Sequence, residues 1–222
     1  MDVIEAISKR KSIRGYKPEP VPMEILKKVL ETAARSPSAM NTQPWEVTVL
    51  ADETLDRVRK ANVEVLRSGA ETWRSISYQG VHRQRQVDLA VRIFKLMGIA
   101  REDKEKRAQW MERGFRFFDA PAAIILSVDS SAPELQALLD IGAFCQSICL
   151  AALEHGLGTC IEDQGTMFPD MIKKLTGIPE SKRIVIGIAI GYPDRDFPAN
   201  KLETDREPVD EFTTWCGFDY PG

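Results

Sequence analysis

The sequence of 222 residues is poor in the groups that metal, disulfide or nucleic-acid chemistry needs. Its two histidines, His82 and His155, lie far apart, and no H-E-x-x-H motif or Cys/His cluster is present, which argues against a zinc enzyme. His155 precedes Gly156 where a helical pattern stops, and reads as a cap. Four cysteines, Cys145, Cys149, Cys160 and Cys216, form no C-x-x-C pair. Cys145 and Cys149 sit in an apolar helical run, where thiols pack as small hydrophobes, so a reducing compartment is expected and a disulfide framework is not. The formal net charge is −3 and the pI about 5.6, which excludes a broad nucleic-acid face and leaves only local basic clusters. No stretch offers about eighteen uncharged apolar residues; the nearest, Ala137 to Leu153, contains Asp140 and Gln146. Met1–Glu5 carries no basic-then-apolar leader pattern, and the expected location is cytoplasmic. A G-x-G-x-x-G dinucleotide fingerprint, an internal repeat and low-complexity segments are also missing.

What is present begins with Lys9-Arg10-Lys11-Ser12-Ile13-Arg14-Gly15-Tyr16, directly after a short apolar helix pattern at Val3, Ile4, Ala6 and Ile7. A helix end carries one or two cations against its dipole. Four cations with Ser12 between them suit a dianion, because guanidinium, ammonium and hydroxyl all donate to phosphate oxygens; taken alone, the stretch is more plainly a solvated charge run. Pro18, Pro20 and Pro22 form a stiff connector. A helix follows from Pro22 or Met23, its stripe at Ile25, Leu26, Val29, Leu30, Ala33 and Ala34, stopped by Pro37. Residues 36–45 form a loop of small polar residues pinned by Pro37 and Pro44, long for a simple connection and suited to a polar planar ligand.

Strands are expected near 46–50, 122–128, 158–162 and 184–190, the second and last as buried central strands, in an α+β arrangement. Asp52 is placed to cap a helix through Val65 that Gly69 ends. A polar stretch with Trp73, Ile76 and Tyr78 leads into a helix through Met97 closed by Gly98, then to Trp110, Met111, Phe115, Phe117 and Phe118. This excursion fits either a lid over a substrate pocket or a surface helical pair packing its own aromatics. The helix after Pro133 is apolar nearly all round, and Gly142 with Ala143 would admit another backbone. A helix from Pro169 to Leu175 ends at Gly177. The tail after Pro193 carries Phe212, Trp215, Phe218 and Tyr220, and another subunit is the natural surface for it.

In order, Arg10-Lys11-Ser12-Ile13-Arg14, the loop Ser36-Pro37-Ser38-Ala39-Met40-Asn41-Thr42-Gln43-Pro44-Trp45, Gly156-Leu157-Gly158-Thr159-Cys160 and Ile188-Ala189-Ile190-Gly191-Tyr192-Pro193 resemble the nitroreductase family of flavin enzymes. The tail from Pro198 through Val209 is similar to the branch that includes nitrobenzoate reductases. The resemblance implies one FMN-binding domain over 1–222, with about 66–114 as a lid or substrate-pocket insertion and about 194–222 as an extended tail wrapping a partner subunit. It implies a three-layer fold, a mainly antiparallel sheet flanked by helices, with Ala137 to His155 as a long central helix, in a homodimer with FMN at each interface. Carried over by position, Arg10, Ser12 and Arg14 contact phosphate, ribityl chain and ring edge, with Lys11 inside the motif. Pro37, Ser38, Ala39 and Asn41 form the loop laid against the flavin by the partner, with Gln43 close by, and Arg206 is a second phosphate cation. Where relatives present a Glu-Gly pair to the ring, this chain has Glu162-Asp163-Gln164-Gly165; Gln164 and Gly165 are the expected neighbours, one offering an amide to N5. No metal and no catalytic acid or base is expected. The implied activity is ping-pong transfer of electrons from NADH or NADPH, sharing the flavin site, to a nitroaromatic, a quinone or a similar acceptor. Reductive dehalogenation, ene reduction, flavin destruction, or a redox sensor with little turnover are the alternatives on the same scaffold.

Overall fold

In the computed structural model, which describes residues 1–70 and 78–218, helices α1 (Val3–Lys9), α2 (Met23–Ala33), α3 (Asp52–Arg67), α4 (Gly80–Leu96), α5 (Lys104–Phe115), α6 (Glu134–Glu154) and α7 (Pro169–Thr176) surround one sheet. Its strands are β1 (Glu46–Ala51), β2 (Ala122–Asp129), β3 (Gly158–Glu162) and β4 (Lys182–Gly191), in the order β1-β2-β4-β3 and antiparallel at each pairing. The expected strands stand where the sequence placed them. Trp73, Ile76 and Tyr220 lie outside the described residues.

The apolar run of β2, broken only at Ser127 before its last residue, Asp129, has a structural reason. Side chains alternate across a strand, so Ile124, Leu126 and Val128 enter one core while Ala123 and Ile125 enter another. The first core packs α2 and α6 on the sheet through Val29, Ile141, Phe144 and Ile148, with Trp45 stacked on Phe144 at 4.7 Å. The second packs Leu55 and Val58 of α3, Ile172 of α7 and Phe117 on the opposite face. Three layers result. Each fully buried Ile or Phe contributes about 1.5–3 kcal/mol of hydrophobic stabilisation.

Two expectations at helix ends are corrected. Asp52 does not cap α3 with its side chain; it is the first helical residue, at φ 46°, after Ala51 at the cap position. β1 runs straight into α3, so the turn falls on a single left-handed residue. α2 ends at Ala33, ahead of Pro37, because the amide and hydroxyl of Ser36 both donate to the Ala33 carbonyl.

α6 is long and apolar enough to cross a membrane by length and composition, yet it lies against α2 and the sheet. One of its faces stays open: Leu135 is 75% and Leu139 74% exposed, and among the described residues nothing lies within 4 Å of where a side chain on Gly142 would start. The excursion before β2 divides between the two sequence readings. Trp110 joins Ile93 of α4 and Ala199 and Leu202 of the tail in a small core of its own. Phe117 and Phe118 enter the second main core, and Phe115 stacks on Phe168 at 5.9 Å. Beyond Leu202 the tail follows α4, held by Arg85–Glu207 and by Arg92–Asp205 at 3.1 Å, and Phe212 and Phe218 remain exposed.

Candidate functional site

Residues 10–16 lie along the open edge of β3. Ser12 bridges Thr159 in parallel, and the Ile13 amide donates to the Thr159 carbonyl at 2.9 Å. Gly158 permits the approach: a Cβ there would sit 2.5 Å from Ile13 Cγ1 and 2.8 Å from Pro193 Cγ. The Tyr16 hydroxyl lies 2.8 Å from the Ile13 carbonyl and 3.2 Å from that of Ala189, tying the segment to β4. Asn200 then clamps it, accepting from the Arg14 amide at 2.7 Å and donating to the carbonyls of Gly15 (2.7 Å) and Asp194 (2.8 Å). Arg113 donates to the carbonyls of Arg14 and Phe118, both at 3.2 Å, with its guanidinium over the Phe197 ring. The backbone of the motif is therefore fixed from four sides, while the side chains of Arg10, Lys11, Ser12 and Arg14 are half-buried along one edge.

Of the four cations counted in the sequence, Lys9 is spent on Glu5 one helical turn back. Arg10 and Lys11 form no ion pair among the described residues. Arg14 lies 6.0 Å from the centroid of the Phe118 ring. A half-buried edge with uncompensated cations suits an anion. Cys160, next along β3, has its thiol pushed up to about 11 by burial, against the opposing pull of Arg14 and of its hydrogen bond with Ser12, so it stays a neutral packing group. Cys145 is likewise raised to about 12 by burial.

β3 ends in a tight turn, Gln164–Thr166, built around Glu162. The Gly165 amide donates to Glu162 Oε2 at 2.8 Å, and the Gln164 amide also faces that carboxyl. From the other side, Asn62 Nδ2 donates to the Gly165 carbonyl and to that of Phe115, both at 2.9 Å. Burial pushes the Glu162 carboxyl up to about 8, with the Gly165 and Gln164 amides holding it partly down. Glu162 Oε1 and Asn62 Oδ1 are buried without hydrogen-bond partners among the described residues. The backbone amides that the sequence offered to a ring are thus turned inward, and the Gln164 side chain donates to the Met111 carbonyl at 3.2 Å.

The loop after α2 is held by α6. The Ala39 amide donates to both oxygens of Asp140, at 3.1 and 3.3 Å, and the Ser36 and Ser147 hydroxyls lie 2.7 Å apart. Beyond these ties the chain turns through Met40, Asn41 and Gln43 at φ 50°, 59° and 48°, left-handed conformations that side chains rarely adopt. The Gln43 amide donates to Ser38 Oγ and its side chain to the Asn41 carbonyl. Pro37, Ala39, Asn41 and Gln43 are exposed, Ser38 is half-buried, and Met40 is 90% exposed. Strain held in place by neighbours, with nothing covering the loop, is the pattern of a binding element.

The sequence-derived site residues therefore fall into separate places. Arg10, Lys11, Ser12 and Arg14 share the β3 edge, and Gln164 and Gly165 follow the same strand. Pro37, Ser38, Ala39, Asn41 and Gln43 sit over the N-terminal half of α6. Arg206 lies beside α4, donating to the carbonyls of Thr204 and Asp205. Asp140 and Asn200, which position the two loops, were not singled out for this role from sequence. Asp140 was visible as a charge interrupting an apolar run, whereas an asparagine in a proline-rich tail carries no such signal.

A model of the nitroreductase family matches residues 7–192. The chain is 32% identical over 217 residues to a chloronitrobenzene nitroreductase of Comamonas testosteroni, covering 95% of each. It is also 32% identical to a 4-nitrobenzoate reductase of Nocardioides sp. (strain LMS-CY), covering 95% of this chain and 88% of that one. Among solved structures it is similar to the FMN and NADPH-dependent nitroreductase of Sphigopyxis sp. strain HMH, with a TM-score of 0.91 and 28% identity over 98% of this chain and 100% of the other. It is similar too to an FMN-dependent nitroreductase from Mycobacterium smegmatis in complex with NADPH, at TM-score 0.89 and 27% identity over 97% and 100%.

Proposed function

Because the chain belongs to the nitroreductase family, we propose that it is an FMN-dependent oxidoreductase that takes electrons from NADH or NADPH and passes them to a nitroaromatic, quinone or similar small acceptor. The observation that carries this reading is the fixed backbone of residues 10–16 with uncompensated cations aligned on the β3 edge. Arg10, Lys11 and Ser12 would hold the FMN phosphate and the polar chain next to it, and Arg14 the ring edge. Bound FMN supplies hydride acceptance and delivery, so the protein's part is orientation, charge and exclusion of water. Gln164 and Gly165 belong to this site as the wall behind the ring, their amides engaged by Glu162.

The loop of Pro37, Ser38, Ala39, Asn41 and Gln43 is supplied by a second copy in this reading, and Arg206 is the second phosphate cation. A homodimer is supported by apolar surface that one chain leaves uncovered: Ile4, 71% exposed on α1, Met40, and Leu135 with Leu139 on α6 beside open Gly142. Residues 1–222 act as one FMN-binding domain, and about 66–114 wall the acceptor pocket. Buried free thiols at Cys145, Cys149 and Cys160 accord with a cytoplasmic location. The test is a visible spectrum of the purified protein followed by anaerobic addition of NADH and of NADPH. Flavin bands that bleach are expected. A colourless protein that takes up no added FMN refutes the proposal.

A further inference from the structure

α4 and α5 enclose a groove of about 860 Å³, within the size of small-molecule sites. Its floor is apolar: Val87, Ala90, Val91 and Phe94 fall on one face of α4, with Ile99 and Met111 opposite. Among the described residues its charged lining is of one sign, Arg83, Lys95, Arg101 and Arg107, with no carboxylate, in a chain whose net charge is −3. None of these four is ion-paired among the described residues. The opposite side of α4 is the internal control, because there Arg85 and Arg92 are neutralised by Glu207 and Asp205 of the tail. Arg107 is also fixed against the floor, its guanidinium 5.1 Å from the Phe94 ring centroid and donating to the Arg101 carbonyl at 3.0 Å.

We propose that this groove binds a small aromatic carboxylate, its ring on Val87, Val91 and Phe94 and its carboxylate among Arg107, Arg101 and Lys95. An apolar floor alone would take any arene. Four cations kept together without ion partners among the described residues repel one another, and a carboxylate relieves that repulsion while a neutral ring does not. The assignment is of a binding site, carried by the groove's own lining, and it stands independently of the proposed function.

The experiment is isothermal titration of the purified, FMN-supplemented protein with 4-nitrobenzoate and with nitrobenzene, in the parent chain, in a Lys95→Gln/Arg101→Gln variant and in Arg107→Lys. The side chains of Lys95 and Arg101 are exposed and form no ion pair among the described residues. The parent should bind the anion at least about tenfold more tightly than the neutral ring. The double variant should lose about tenfold for 4-nitrobenzoate and hold nitrobenzene within about twofold. Raising NaCl from about 50 to about 500 mM should erode the preference. Arg107→Lys, which keeps the charge and loses the stacked plane, should fall between. Equal affinities for the two ligands overturn the proposal, as does an anion affinity unchanged in the double variant. So does the absence of anion binding, which a groove filled by a second copy of the chain would give. If the protein holds no FMN and reduces no nitroarene while the calorimetric preference persists, the proposed function fails and the groove stands.

Discussion

Replacing Glu162 by glutamine should stabilise the protein, and the gain should depend on pH. The carboxyl has an ordinary pKa of 4.5 and stands at about 8 in the fold, raised chiefly by burial. Between these values the folded state holds a proton that the unfolded chain has released, so unfolding releases a proton and stability falls as pH rises, by about 1.4 kcal/mol per unit. The full stability is present below 4.5, and above about 8 both states are ionised and the loss levels off. At pH 7 the accumulated cost is about 3 kcal/mol, of the order of a sizeable core substitution. Glutamine carries no such proton. Its carbonyl can still accept from the Gly165 amide, so the Gln164–Thr166 turn survives the change. The assay is urea unfolding of both proteins, at one fixed FMN concentration, at about pH 5, 7 and 8.5. Glu162→Gln minus parent should rise across all three, steeply from about pH 5 to 7 and by about 1 kcal/mol more by about pH 8.5, where it levels off. A difference that is the same at pH 5 and pH 8.5 would show that Glu162 is ionised throughout and that the reasoning from burial is wrong.

Asn200→Ala removes two hydrogen bonds to the motif segment and one to the Asp194 carbonyl, and should cost about 2–4 kcal/mol in denaturant unfolding, with easier loss of FMN; a cost under about 1 kcal/mol would mean water replaces the amide. Gly158→Ala drives a methyl group into Ile13 and Pro193 and should cost about 1–3 kcal/mol while weakening FMN binding, although no flavin contact is deleted. Equilibrium dialysis showing parent-like FMN affinity in Gly158→Ala would separate the motif's position from binding. Arg14→Ala should weaken FMN binding by about tenfold or more and slow reduction by NAD(P)H in stopped flow. Unchanged flavin content together with an unchanged reductive rate removes Arg14 from the site.

The strands were legible because their signals are local. Ala122 to Val128 is apolar but for Ser127, and only a strand covered on both faces uses such a run over so short a length. Left-handed glycines mark helix ends for a similar reason: Gly177 stands at φ 77° after α7. The Asp52 cap failed because a capping residue needs an extended backbone, and the direct junction of β1 with α3 denied it one. The lid could not be decided, because whether Trp110 packs on its own helices or on the core depends on where residues 199–202 return.

The sequence by itself determined the sheet, the helices and the family, since periodicity, glycine placement and ordered motifs are properties of neighbouring residues. Tertiary structure decided which charges are free. Lys9 is neutralised within its own helix, Arg85 and Arg92 by a tail more than a hundred positions away, while Arg10, Lys11 and the cations of the α4–α5 groove are left without ion partners among the described residues. Tertiary structure also turned the Gly165 amide inward to Glu162 and seated the Ala39 loop on Asp140. Charge compensation and amide direction depend on distances of a few ångströms between segments remote in sequence, and a linear chain does not record those distances.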